Sequence, residues 1–145
     1  MPLPRILIVD DYPDALEVWG LYLRGAGFEV LLASDGPGAF ADIVREKPDV
    51  VVMDLELPGQ SGFDVARAVK ARQDTRGIPL IAATGYSLTS QLDLARASGF
   101  DSVIVKPCEP QALLAEIRRV LNEPAAQPAA PVVNVQQDGS IRGTD

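Results

Sequence analysis

Five short apolar runs, each followed by a stretch with helical spacing, leave this chain few ways to fold. The central run, Val50-Val51-Val52-Met53, is apolar at every position and β-branched at three of four. That composition suits a strand buried on both faces inside a parallel sheet, where no side faces water. Ile6 to Val9, Phe28 to Ala33, Ile78 to Ala83 and Val103 to Val105 have the same character. Between them, Leu16, Trp19 and Leu23 recur at the spacing of one helix face, as do Ala39, Phe40, Ile43 and Val44. Phe63, Ala66 and Val69 mark a third helix, expected over Ser61 to Arg72. Leu88, Leu92 and Ala95 mark a fourth, and Leu113, Leu114, Ile117, Val120 and Leu121 a fifth. Gly25 with Gly27, Pro48 and Gly99 supply stops, while Ser34-Asp35-Gly36 reads as a turn.

Strict alternation of strand and helix requires crossovers that lay helices on both sides of a parallel sheet. The expected fold is α/β, a flavodoxin-like (βα)5 doubly wound sheet of five parallel strands in the order 2-1-3-4-5. A chain of 145 residues holds one such domain, expected over residues 1–122. From Glu123 the character changes: Pro124, Pro128 and Pro131 alternate with Ala pairs, and Gln136-Gln137-Asp138-Gly139-Ser140 has no apolar period. Residues 123–145 are therefore expected to be a disordered Pro/Ala-rich tail, with too little apolar surface to offset the entropy of ordering.

The formal net charge of −7 and the lack of a sustained basic run argue against a direct nucleic-acid partner, which clustered Lys and Arg would serve. Cys108 is the only cysteine, so an internal disulfide is excluded. No apolar run approaches membrane-spanning length and the start lacks the pattern of a signal peptide, so a cytoplasmic location is expected. With no histidine, the chain has no imidazole to serve as nucleophile, base or zinc ligand. Carboxylates, hydroxyls and lysine remain to carry any chemistry.

In a parallel sheet the first, third, fourth and fifth strands deliver their carboxyl ends to one edge, where ligands bind in open α/β folds. Those ends carry Asp10-Asp11, Asp54, Thr84 and Lys106. Taken alone, Asp54 before Leu55-Glu56-Leu57-Pro58-Gly59 is as well explained as a turn residue. Three carboxylates in one cleft, however, repel one another unless a cation sits among them, and an all-oxygen set selects a hard ion such as Mg²⁺. Lysine and a threonine hydroxyl opposite them are what a phosphoryl group would need.

Val9-Asp10-Asp11, Met53-Asp54 through Gly59 with Gly62, Ala83-Thr84-Gly85 and Lys106-Pro107 together resemble the signature of the response-regulator receiver domain (CheY-like) of bacterial two-component signalling. The likeness runs in order from about Arg5 to Leu121. It implies Asp54 as phosphoacceptor, taking a phosphoryl group from the phosphohistidine of a sensor histidine kinase or histidine phosphotransfer protein. It implies Mg²⁺, with Mn²⁺ as a substitute, on Asp11 and Asp54 and the backbone carbonyl of Glu56, Asp10 acting through a bound water. Lys106 would pair with one phosphoryl oxygen and Thr84 would donate to another, and the Lys106–Pro107 bond is expected to be cis. The domain would catalyse its own phosphorylation and dephosphorylation without being a turnover enzyme. It would signal as a stand-alone receiver through a downstream protein target, or pass phosphate onward in a phosphorelay. A homodimer through the fourth helix, fifth strand and fifth helix is one arrangement the resemblance allows.

Val103 stands where the family often has Tyr or Phe, which removes the usual aromatic partner of the threonine. Cys108 stands where Phe is frequent and reads as a small packing residue. Glu56 and Tyr86, each two positions past a motif residue, are expected to rim the site and set the lifetime of the acyl phosphate. Two other classes compete. A phosphohydrolase with an aspartyl nucleophile would want a second Asp where Glu56 stands. A nucleotide or flavin binder would want a Gly-rich fingerprint, which is missing after the first strand. A receiver fold that signals by binding alone, without phosphorylation, is the remaining alternative.

Overall fold

The computed structural model describes residues 3–85, 89–122 and 132–133. The chain runs β1 (Arg5–Val9), α1 (Pro13–Gly25), β2 (Glu29–Ala33), α2 (Gly36–Glu46), β3 (Val50–Met53), α3 (Gly62–Ala71), β4 (Leu80–Thr84), α4 (Thr89–Ala97), β5 (Ser102–Val105), α5 (Pro110–Asn122) and β6 (Val132–Val133). Strand order is β2-β1-β3-β4-β5-β6, and every pair is parallel. The first five strands follow the flavodoxin-like order expected from the sequence.

The alternation of side chains along each strand explains why all of them had to be apolar. Leu7, Val9, Val51, Met53, Leu80, Ala82 and Val103 face one side, where they pack with Ala39 and Ile43 of α2, Val65, Ala66 and Val69 of α3, and Ala95 of α4. Ile6, Ile8, Val50, Val52, Ile81 and Ile104 face the other, against Leu23 of α1 and Leu113, Ile117 and Val120 of α5. Each fully buried Leu, Ile or Val stabilises the fold by roughly 1.5–3 kcal/mol over an exposed one. Both sheet faces are thus committed to the core, and chemistry is left to the strand ends.

Two local features depart from the sequence reading. Gly36 belongs to helix α2, not to a turn, because Asp35 caps it: the Asp35 side chain accepts from the Gly38 amide at 2.6 Å. The second departure is β6, which draws Val132 and Val133 of the tail onto the sheet beside Val103 and Ile104. The other tail residues expected to be disordered, 123–131 and 134–145, lie outside the described residues, as do Tyr86 and Leu88.

The loop from β3 into α3 is held between two helices at glycines. On one side the Gly36 amide donates to the Pro58 carbonyl at 3.2 Å, and a methyl group at Gly36 would collide with the Gln60 backbone. On the other, a Cβ at Gly62 would fall 2.5 Å from the Asp54 carbonyl oxygen. Gly59, at φ +80°, turns the loop over Pro37 in a conformation that disfavours side chains with a Cβ.

Candidate functional site

The strands end, but their hydrogen-bond ladder reaches one residue further, and this aims the acidic side chains. The Asp10 amide donates to Ala33 O at 3.1 Å, the Asp54 amide to Val9 O at 3.0 Å, and the Lys106 amide to Thr84 O at 2.7 Å. Each residue just beyond a strand is therefore pinned to its neighbour, and their side chains rise from one edge of the sheet. Carboxylate oxygens of Asp10, Asp11 and Asp54 all lie within 4.8 Å of one another. Asp10 is buried, Asp54 half-buried and Asp11 exposed, so the group forms one wall of an open cleft.

Lys106 binds the inner members of this group. Its Nζ lies 3.1 Å from Asp54 Oδ2 and 3.2 Å from Asp10 Oδ2. Burial opposes the lysine charge, but Asp54 and Asp10 together outweigh it and hold its pKa above the usual lysine value. The other carboxylate oxygens are held by backbone: Tyr12 N–H donates to Asp10 Oδ1 and Glu56 N–H to Asp54 Oδ1, each at 3.0 Å. These bonds fix both carboxylates without neutralising them. One ammonium faces two of three carboxylates, and all the side-chain donors of the cluster are oxygen. Such a set fits a hard divalent cation and is poorly suited to a soft one.

Thr84 closes β4 fully buried, pairs in register with Val105, and offers its carbonyl to Lys106, so it stands next to the lysine. Glu56 has an exposed side chain, and its place in the site comes from its backbone. The Lys106–Pro107 peptide bond is cis. Val103 is completely buried between the sheet and α4, which is a packing position. Cys108 is half-buried against the α1/α5 layer, and burial pushes its thiol pKa up to about 11 despite the pull of Lys106. The sequence reading singled out Asp10, Asp11, Asp54, Lys106 and Thr84, which lie together at this edge of the sheet. It did not reach Tyr12, whose amide orients Asp10, or Gly36, whose missing side chain admits the loop after Asp54. A backbone donor leaves no trace in residue type. Gly36 could have been found by asking what caps the helix after Asp35.

Chains of known kind resemble this one in sequence and fold. Residues 6–118 match the family model of the response regulator receiver domain. The DNA-binding response regulator MtrA of Mycolicibacterium smegmatis is 37% identical over 125 residues, covering 86% of this chain and 54% of MtrA. The chain thus spans about half the length of the curated relatives it matches. Among solved structures, the chemotaxis response regulator CheY4 of Vibrio cholerae superposes with a TM-score of 0.78 at 29% identity, over 81% of this chain and 98% of that one. The receiver domain of sensor histidine kinase PA1611 from Pseudomonas aeruginosa, solved with a magnesium ion coordinated in its active-site cleft, gives a TM-score of 0.78 at 28% identity, over 85% of this chain and all of that one. Strand order, acidic cleft and family match agree, and this chain belongs to the response regulator receiver domain family of two-component signalling.

Proposed function

We propose that Asp54 is the phosphoacceptor of this receiver, and that a divalent cation, Mg²⁺ or Mn²⁺, is held by Asp11 and Asp54 with the Glu56 carbonyl, Asp10 acting through water. The observation that carries the proposal is the convergence of Asp10, Asp11 and Asp54 within 4.8 Å on one edge, with Lys106 facing them. The magnesium reported in the PA1611 receiver cleft supports the same ion here. When bound, the cation neutralises charge on the carboxylates and on the incoming phosphoryl oxygens.

The chain's own residues supply the rest. A carboxylate oxygen of Asp54 attacks phosphorus; an O–P bond forms, the P–N bond to the donor's imidazole breaks, and the imidazole leaves with that electron pair. The Glu56 amide holds Asp54 Oδ1 throughout, so the carboxylate enters the reaction already oriented. Lys106, 3.1 Å from Asp54 Oδ2, is placed to exchange that contact for one to a phosphoryl oxygen. Thr84 Oγ donates to a second oxygen after a small movement from its buried position at the end of β4. Little covalent work falls to the protein; positioning and charge do most of it. Receiver domains are signalling modules and not turnover enzymes, and here dephosphorylation would be the same site acting with water.

The donor is a sensor histidine kinase or a histidine phosphotransfer protein. Exposed apolar side chains, Tyr12 next to the Asp10-Asp11 pair with Val18 and Leu21 further along α1, give such a protein a surface to meet. Output runs through a protein target or onward phosphotransfer; self-pairing on the α4, β5 and α5 side would use the helix faces, since β6 covers the β5 edge. MtrA is described as DNA-binding. For the residues of this chain, at net charge −7, we propose protein contacts instead. No described helix is long and apolar enough to cross a membrane; on the family membership we propose a cytoplasmic site of action.

Incubation with acetyl phosphate and Mg²⁺, followed by intact mass, tests the proposal. Wild type should gain one phosphoryl group and Asp54→Asn none. Equal gain in both would move the acceptor elsewhere, and no gain in either would favour a receiver that acts by binding alone.

A further inference from the structure

The two margins of the five-stranded sheet are built differently. At β2 the margin carries a charge: Glu29 is exposed and its carboxylate lies 3.3 Å from Arg5 Nε. Charged, partly wet edge strands resist addition of a further strand. At β5 the strand reads Ser102-Val103-Ile104-Val105, with no charge and every residue buried. An apolar edge of that kind, left with unpaired amides and carbonyls, is a template for a strand from another molecule. In this chain it is not left open. Val132 pairs with Val103 and Val133 with Ile104, parallel, as β6.

The tail sequence suits this use. Val132-Val133 opens the one β-branched cluster after α5, behind the run Pro124-Ala-Ala-Gln-Pro-Ala-Ala-Pro131, which has no strand character of its own. In sequence, α5 and residues 123–131 lie between β5 and β6, chain enough for the crossover that parallel pairing needs. The new margin is also poor ground for further growth. It is two residues long, and Pro131 just before it has no amide hydrogen to offer.

We infer that Val132–Val133 is a tethered strand that closes the β5 edge and thereby keeps a second copy of the chain from pairing there. This inference does not depend on phosphorylation of Asp54. It bears on the acidic cleft by position, because Ile104, the partner of Val133, is two residues before Lys106.

The test uses the full chain carrying Val132→Pro and Val133→Pro. Whichever of the two amides faces β5 is lost, and net charge is unchanged. Amide exchange across β5 is followed by NMR, with β2 as internal reference, and self-association by sedimentation over a range of concentrations. The expected result is that the β5 amide facing β6 exchanges about tenfold faster or more, that β2 is unaffected, and that the variant associates as concentration rises. Val132→Ile with Val133→Ile, which keeps β-branching, should retain wild-type protection and remain monomeric at the same concentrations. Unchanged β5 exchange in the proline variant would overturn the pairing. Faster exchange without association would overturn the guarding role.

Discussion

The two ends of the sheet both gather acids around a cation, yet they are built for different ends. At the amino ends of the strands, Arg5 takes Glu46 Oε1 at 2.5 Å and the Glu46 carbonyl at 2.9 Å, meets Glu29 at 3.3 Å, and donates its amide to Asp49 at 2.7 Å. A planar guanidinium with several donors satisfies several acceptors at once, and Arg45 adds a second positive charge to Glu46 at 3.0 Å. The network is partly wet, and its one loose place is Arg5 Nε, which meets Glu29 only as an ion pair and makes no hydrogen bond. At the carboxyl ends, one lysine ammonium faces Asp10 and Asp54, Asp11 is left over, and Asp10 is buried. A compact charge on a flexible stem can change partners, which a bidentate fork does less readily. The lesson is that acid count does not mark a site. What marks it is acids packed more closely than the local cations can neutralise.

Asp54→Asn should break the comparison most completely, abolishing phosphorylation by acetyl phosphate in an intact-mass assay. Asp10→Asn comes next: relief of like-charge repulsion should raise stability by on the order of 1 kcal/mol in urea unfolding, while the response to Mg²⁺ is lost. A fall in stability would mean that the carboxyl end is a finished clamp like the amino end. Mg²⁺ at about a hundred times its dissociation constant should stabilise wild type by about 2.7 kcal/mol and leave Asp10→Asn and Asp54→Asn nearly unmoved, as read by thermal melting.

Effects at the amino end should be smaller and opposite in sign. Arg5→Ala should lower the urea midpoint slightly, and less so in high salt. Arg5 and Arg45 hold the Glu46 carboxyl below the usual glutamate value. A depressed folded pKa contributes stability above the unfolded pKa, and that contribution disappears as pH falls through the folded one. The difference between wild type and Arg5→Ala should therefore be full at neutral pH and close under acid conditions below the ordinary glutamate range. Smallest of all is a change in reactivity beside Lys106: with the Cys108 pKa near about 11, alkylation at pH 8 should be much slower in the native protein than in urea.

Most of the fold was legible because both faces of the sheet are buried, so each strand announced itself as an unbroken apolar run. The acidic cleft was legible for a related reason: a carboxylate that directly ends such a run can only emerge at the sheet edge. What escaped depended on contacts made across the fold. Glu116 looks like an ordinary polar residue of α5, yet it lies on the same stripe as Ile117 and Val120, is buried, and accepts from the Ser102 hydroxyl while pairing with Arg119 at 2.5 Å. Only the tertiary neighbour Ser102 explains a carboxylate there. β6 escaped because two valines carry no periodicity, and their pairing is supplied by the edge they meet. Tyr86, expected to rim the cleft, lies outside the described residues.

The loop after Asp54 has no clearance on either flank. Gly36 bars it from settling toward α2, and Gly62 from settling toward α3, since at each position even a methyl group would strike backbone. A segment walled in on two sides and rooted in a buried strand on the third has one direction of travel, outward into solvent. Were Asp54 phosphorylated as proposed above, any shift of this loop would have only that outward side open to it, the side on which another protein would meet it.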